Sequence, residues 1–446
     1  MKVPQTYKLV LVLGLVICSM IITTSCKKDP GKSEQETHIN IDEVDESNSS
    51  ESVGSNIEQE DIEQEDIEEE DIEVLENENI ENLKIKNYAK IYKETGELPS
   101  LANEFKDYFK IGVALAQHDI TNTDKAQLVS SQFNSITCEN EMKADFKLDR
   151  EATLELGDEE YPVVNMKHAD VALSFAYKNG LSMRGHTLVW HSQTPRWLFT
   201  VGFDNDPDAP FVSREIMLLR MENYIRQEIE YVNTNYPGVL YAWDVVNEAI
   251  EINDGHELGY RTKNNYWYEV VGEDFIEMAY TFARKYATAD QKLFYNDYGT
   301  YEKSKLFAIY NMSGKLKEKN LIDGIGMQDH IQIDYPTTLD YQYAIKKYAE
   351  LDLEIQVTEL DIHIEDNSDE MQAKLATRYR TIMTVLKNFV DKDIANITSV
   401  TFWGLTDDRS WLNKTDKPSY PLLFNKDLTP KPAYFGVLQD ESIKLY

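Results

Sequence analysis

Cysteine is nearly absent from this chain, with three in 446 residues. No disulfide framework can be read from so few. Positive charge is also scarce. Lys and Arg number 45 against 79 acidic residues, and the formal charge of −34 argues against nucleic acid or an anionic membrane surface as a partner. The shortage is local: between Glu34 and Glu81 there are 21 Asp or Glu and no Lys or Arg, which leaves −13 for the rest. That remainder is ordinary for a soluble domain. Apolar material is plentiful, at 42 % hydrophobic with 27 Tyr, 16 Phe and 6 Trp, enough for a sizeable core in one large domain or two ordinary ones.

Near the N-terminus Lys2 and Lys8 precede the run LVLVLGLVICSMII. The run is about as long as a signal-peptide core and short for a membrane span. It closes with TTSCKKD, which resembles a bacterial lipoprotein signal in which Cys26 is lipidated after cleavage of residues 1–25. Thr23 departs from the aliphatic residue usual at its position, and an ordinary secretory signal with an incidental Cys26 is the alternative. Either way an extracytoplasmic protein is expected, anchored to the cell envelope through Cys26 or secreted. Cys18 lies within the signal, so Cys138 stands alone and no intrachain disulfide is expected.

Residues 26–82 form a tether. Its unit IEQED repeats at 57–61 and 62–66, so Ile57, Ile62, Ile67 and Ile72 recur every five residues. Neither a helix nor a strand gathers that period onto one face. With nothing to bury and strong self-repulsion, the segment is expected to be a disordered acidic spacer. An acidic module binding calcium or a basic partner is the other reading.

From residue 83 to 446 the texture changes to strand-like runs separated by amphipathic helical stretches. The runs are FKIGVAL (109–115), SITCE (135–139), MRGHTLV (183–189), AWDVVNE (242–248), KLFYND (292–297), IGMQDH (325–330), EIQVTEL (354–360) and VTFWGL (400–405). Eight strands alternating with helices predict a single α/β domain, a (β/α)8 TIM barrel, with no second domain. Many runs end in polar groups: Glu139, His186, Glu248, Asp297, Gln328, His330 and Glu359. In such a barrel the C-terminal strand ends share one face, so these groups would converge on one pocket.

A carboxylate at the mouth of an apolar strand is costly to desolvate unless something uses it. Glu248 of WDVVNE and Glu359 of VTELDIH are two such groups. Facing each other in a cleft with Trp and amide side chains, they would suit glycosidic cleavage, one as acid on the leaving oxygen and one as nucleophile. Asn247, directly before Glu248, could hold a sugar 2-hydroxyl whose hydrogen bond tightens in the transition state. A salt bridge to a neighbouring loop is the ordinary explanation of any one strand-end Glu, and it weakens as such groups accumulate.

With those residues in view, the chain from about 100 to 440 resembles the glycoside hydrolase family 10 endo-β-1,4-xylanases. The matching blocks are NSITCENEMK, GHTLVWHSQTPRW, WDVVNEAI, LFYNDYG, IDGIGMQDHI, VTELDIH and FWGLTDDRSWL, in the family's order. The resemblance implies a (β/α)8 barrel and hydrolysis of xylan or xylo-oligosaccharide with retention, Glu248 as acid/base and Glu359 as nucleophile. Retention requires the two carboxyl groups to lie about 5–5.5 Å apart. By the same resemblance Glu139, Asn140 and Lys143 hold the xylose beyond the one attacked. His186, Trp190 and Gln193 wall the cleavage subsite, and Gln328 and His330 sit near the nucleophile. His330 bridges Glu359 and Asp361, and Trp403 and Trp411 act as platforms over the sugar rings. No cofactor, no metal and a monomeric state are expected.

Other residues have plainer readings. Trp197 and Trp243 read as core, His118 and His191 as structural histidines, and Asp297 as a brace; Asn296 beside it is ambiguous. Cys138 departs from the Pro or other small residue often found before the Glu; the departure is expected to be harmless, although a buried thiol there could react with oxidants. Three rival functions remain: a metal-dependent barrel hydrolase using His186, His191, His330, Asp297 and Asp361, a non-catalytic polysaccharide-capturing surface protein, and a retaining β-1,4-glucanase. The spacing of His186 and His191 is poor ligand geometry on a strand, and a capture protein has no use for the acid pair.

Overall fold

The structure, a computed structural model, describes residues 87–443. The expected signal at 1–25, Cys26 and the whole of the expected tether at 26–82 lie outside the described residues. The eight barrel strands are β1 (Lys110–Leu115), β2 (Ser135–Cys138), β3 (Ser182–Gly185) and β4 (Leu240–Asn247), followed by β5 (Lys292–Asp297), β6 (Gly324–Met327), β7 (Glu354–His363) and β8 (Ile397–Phe402). Every neighbouring pair is parallel, and β8 pairs with both β7 and β1, so the sheet closes. All eight predicted runs form these strands. Closure explains their composition: a parallel strand buried on both faces needs a nearly continuous apolar run.

A helix follows each strand: α1 (Thr123–Gln132), α2 (Asp170–Asn179), α3 (Arg214–Asn235), α4 (Phe275–Tyr286), α5 (Lys303–Glu318), α6 (Thr338–Ala349), α7 (Asp369–Asp391) and α8 (Pro432–Val437). Helix α3 shows why. The Ser213 side chain accepts from the Ile216 amide at its N-terminus, and Met217, Met221, Tyr224, Ile225, Glu228, Ile229 and Val232 form the buried stripe at spacings of three and four. Ser368 and Thr337 cap α7 and α6 in the same way. The ends of the described chain meet, with the Ala89 amide donating to Asp440 Oδ2 at 3.0 Å.

Two irregularities set the active face. First, the β4–β5 register shifts between Asp244 and Val246. Strict alternation would point Asp244 and Asn247 to opposite faces, and the bulge brings both inward. Second, two strands, β3 and β6, end earlier than their apolar letters suggest. Strand β3 stops at Gly185, and Val189–Trp190 forms a separate short strand on β4. Strand β6 stops at Met327, and His330–Gln332 pairs separately with β7. His186 and Gln328 therefore lie just beyond the barrel strands, and His330 opens the short outer strand on β7.

Candidate active site

The barrel interior below the site holds charges. Arg184 of β3 pairs with Asp244 of β4 and donates to Gln356 of β7, all three almost fully buried. Asp244 also meets His186 Nδ1 at 2.9 Å. A buried charge needs such a partner. The pair stiffens the floor on which His186 stands, and the charged letters inside two apolar runs were its only sequence signal.

Glu359, expected at the end of its strand, lies mid-way along β7 because the strand continues to His363. It is 5 % exposed and has Asn296, His330 and His186 as polar neighbours. Asn296 Nδ2 donates to Oε1, His330 Nε2 lies 3.2 Å from Oε2, and His186 Nδ1 is 3.9 Å from Oε1. Burial pushes the carboxyl up, but the charge of His186, the hydrogen bond and charge of His330 and the charge of Lys143 outweigh it and hold Glu359 at about 2. His330 is fixed from behind, with Nδ1 3.0 Å from Asp361 Oδ1, while Trp411 Nε1 donates to Asp361 Oδ2 at 2.8 Å. Burial disfavours the imidazolium, yet Asp361 and Glu359 raise His330 to about 10.

Glu248 follows β4 directly and has a φ of +55°, in the left-handed region that non-glycine residues rarely adopt. That turn lets Asn247 and Glu248, consecutive residues, both face the cleft. Glu248 Oε2 accepts from Trp190 Nε1 at 3.0 Å, and Oε1 accepts from Gln328 Nε2 at 3.0 Å and Asn247 Nδ2 at 3.3 Å. The side chain of Gln328 thus serves Glu248, while its carbonyl accepts the Glu359 amide at 2.9 Å. Arg261 Nε donates to the Glu248 carbonyl at 2.9 Å, and Tyr295 Oη accepts from the Ala249 and Ile250 amides. Tyr295 in turn donates to Asp297, which pairs with Lys305 at 2.7 Å. Asp297 is therefore a buried brace beneath the Glu248 turn, its carboxyl pushed up to about 6 by burial against the pull of Lys305.

Asn296, ambiguous in the sequence, is central. Its amide reaches both Asn247 Oδ1 and Glu359, its Oδ1 accepts from Thr358 at 2.6 Å, and its carbonyl accepts the Glu248 amide at 2.9 Å. A Cβ at Gly326 of β6 would fall 2.5 Å from Asn296 Oδ1, so only glycine leaves Asn296 its seat.

At the β2 end, Lys143 Nζ donates to Asn140 Oδ1 at 3.2 Å, Gln193 Nε2 lies 3.4 Å from the same oxygen, and Lys143 sits 5.0 Å over the Trp190 ring. Burial lowers Lys143, opposed by Glu359, Glu139 and Glu248. Burial, with Asp119 and Glu141 nearby, raises Glu139 to about 7. Of the two tryptophans expected as platforms, Trp403 is only 7 % exposed and stands edge-on to His186 at 5.4 Å, which leaves it little open ring face, whereas Trp411 is 48 % exposed. The structure thus brings every sequence-named site residue of the described chain to one face.

Trp197 and Trp243 are packed in the core. His118 pairs with Asp119 at 3.2 Å. His191 is held near 4 by burial first and then by Arg261 and Lys305, which keeps it neutral. Cys138 is fully buried, and burial pushes its thiol up, which disfavours the reactive thiolate.

A closed parallel barrel with two carboxylates, amides and indoles at the carboxyl ends of its strands defines a barrel protein built for glycosidic chemistry. The chain belongs to glycosyl hydrolase family 10, whose profile matches residues 100–440. It is 42 % identical over 353 residues to endo-1,4-beta-xylanase B of Butyrivibrio fibrisolvens, covering 77 % of this chain and 54 % of that protein. It is 40 % identical over 352 residues to endo-1,4-beta-xylanase A of Thermotoga maritima, covering 77 % of this chain and 31 % of that protein. The chain therefore spans about half or less of these curated relatives. Among solved structures it resembles an endo-1,4-beta-D-xylanase 10B of Clostridium thermocellum complexed with xylohexaose, at 34 % identity and TM-score 0.69, covering 76 % of this chain and 66 % of that one. It also resembles an intracellular xylanase of Thermoanaerobacterium saccharolyticum, at 35 % identity and TM-score 0.67, covering 77 % and 99 %. Glutamate-to-alanine mutants of the latter were solved with xylotriose and with xylotetraose.

Proposed function

We propose that this protein is an endo-1,4-β-xylanase acting by double displacement with retention, Glu359 as nucleophile and Glu248 as acid/base. The observation that carries the reading is the unequal setting of two carboxylates joined through shared amides. Glu359 is buried, held at about 2 and so ionised, whereas Glu248 is half-buried on a turn at the cleft. Glu359 attacks the anomeric carbon as the glycosidic C–O bond breaks, and the Glu248 proton passes to the leaving oxygen. Water then attacks the glycosyl–enzyme, giving its proton to Glu248 and releasing Glu359. Asn247 would hold the 2-hydroxyl, Glu139, Asn140 and Lys143 the next xylose, and Trp411 a ring face. His186, Trp190, Gln193 and Trp403 would wall the cleavage subsite. Retention calls for carboxyl groups about 5–5.5 Å apart.

The test is release of reducing sugar from xylan and from carboxymethylcellulose, with NMR of the first-formed anomer. Release from xylan with the β-anomer first is expected. Preference for the cellulose substrate would point to a glucanase, and first-formed α-anomer would overturn the mechanism.

We further infer attachment to the cell envelope through lipidated Cys26, with the acidic segment as spacer, so that a polymer too large to import is cut outside the cytoplasm. The support is the sequence TTSCKKD after an apolar run. Cys26→Ala should move the protein from the membrane fraction to the medium; an unchanged distribution would dismiss the anchor.

A further inference from the structure

We propose that Asp329 is a positioning residue: paired with Tyr341 of α6, it locks the turn whose flanking side chains, Gln328 and His330, serve Glu248 and Glu359. The inference rests on the reading of that pair given above.

The turn bridges two strands. The Gln328 amide donates to the Asp297 carbonyl at 2.9 Å, and the Gln328 and Asp329 carbonyls accept from the Glu359 and Asp361 amides at 2.9 and 3.4 Å. Any shift of residue 329 therefore moves both neighbours against β7. Its φ of +59° lies in the left-handed region, where Asp and Asn are enriched among side-chain residues. The side chain of Asp329 is buried, and Oδ2 accepts from the Tyr341 hydroxyl at 2.6 Å. Tyr341 is itself fully buried on a helix capped by Thr337. Among the described residues Oδ1 has no hydrogen-bond partner, so the Tyr341 hydroxyl supplies the carboxyl's one side-chain hydrogen bond, with the charges of His330 and Arg378 nearby. Asp329 touches neither carboxylate of the reacting pair. What it can do is fix where Gln328 Nε2 meets Glu248 and where His330 Nε2 meets Glu359, each at about hydrogen-bond distance.

The experiment compares Tyr341→Phe, Asp329→Gly, Asp329→Ala and Asp329→Asn in the full chain, measuring kcat and KM on xylohexaose alongside thermal stability. Tyr341→Phe removes one oxygen and Asp329→Gly keeps the backbone conformation, and each is expected to lower kcat about 10- to 100-fold with KM nearly constant, as misplacement at a reacting centre does. Asp329→Asn, which tolerates the same φ and can still accept from Tyr341, should recover more activity than Asp329→Ala. The double variant Asp329→Gly/Tyr341→Phe should lose no more than the worse single one. Wild-type kcat in Tyr341→Phe, whatever its melting temperature, would overturn the proposal, and this variant decides the matter if the Asp329 variants do not fold. Glu359→Ala is the control. If it keeps full turnover, the reading of the acid pair has failed; if it is inactive while Tyr341→Phe is unimpaired, only the positioning role has failed.

Discussion

Asn296 Nδ2 donates to Glu359 Oε1 at 2.8 Å, a charge-assisted bond inside a buried site. Such bonds contribute about 1.5–3 kcal/mol. Asn296→Ala is expected to lower kcat/KM roughly tenfold or more. Loss of a donor to the ionised form also raises the Glu359 carboxyl, so the acidic limb of the pH–rate profile should move to higher pH. An unmoved acidic limb would show that Asn296 does not act on Glu359.

The two carboxylates should separate by leaving group. Glu248→Ala is expected to retain activity on aryl xylosides whose leaving groups need no protonation, while Glu359→Ala loses it on every substrate. Equal loss in both variants on the activated substrates would count against the assigned roles.

Acidity at the β2 end gives a pH effect on stability. Glu139 is raised from 4.5 to about 7 by burial first, then by Asp119 and Glu141. A raised group contributes stability that is fully present below its unfolded value and lost as pH rises through the folded one. Melting temperature in wild type should therefore carry a declining component between about pH 4.5 and 7, and Glu139→Gln should flatten it. Identical curves would refute the burial effect. Glu359 has the opposite sign: its contribution is present above 4.5 and lost as pH falls toward about 2.

Beneath the site, Lys147 and Glu228 form an ion pair with neither side chain exposed, and Lys147 Nζ donates to the Thr187 carbonyl at 3.3 Å. Lys147→Met strands a buried carboxylate, which costs roughly 3–5 kcal/mol. Lys147→Met/Glu228→Leu should recover much of that in denaturant melts, because an apolar pair needs no counter-charge. A double variant as unstable as the single one would mean the pair has another role.

Metal removal is a simpler check. Asp297 is engaged by Lys305, and Asp361 by Trp411 and His330. Turnover of xylan is expected to be unchanged after EDTA treatment and dialysis; loss restored by a divalent cation would favour the metal-dependent alternative.

The barrel was legible because its evidence is local. Each strand is buried on both faces, so each appears as an apolar run, and the helices between show their stripes at three and four. The strand-end letters Glu248 and Glu359 were legible for the same reason, since a charge at the end of such a run stands out. Asn296 was not, because its worth lies in partners at 247, 248, 358 and 359, which no spacing announces. Arg184 and Asp244 show as charges within apolar runs, but their pairing across the barrel does not.

By itself, then, the sequence determined the eight β/α units, the acidic segment before them and the kinds of side chain gathered at the strand ends, all of which follow from the burial and charge of each stretch. Only the tertiary structure decided how those side chains are aimed. The bulge in β4, the left-handed turns at Glu248 and Asp329 and the side of the cleft to which Gln328 turns arise where the backbone leaves regular geometry. Such departures persist because contacts from distant parts of the chain hold them, and a linear pattern cannot encode contacts it does not contain.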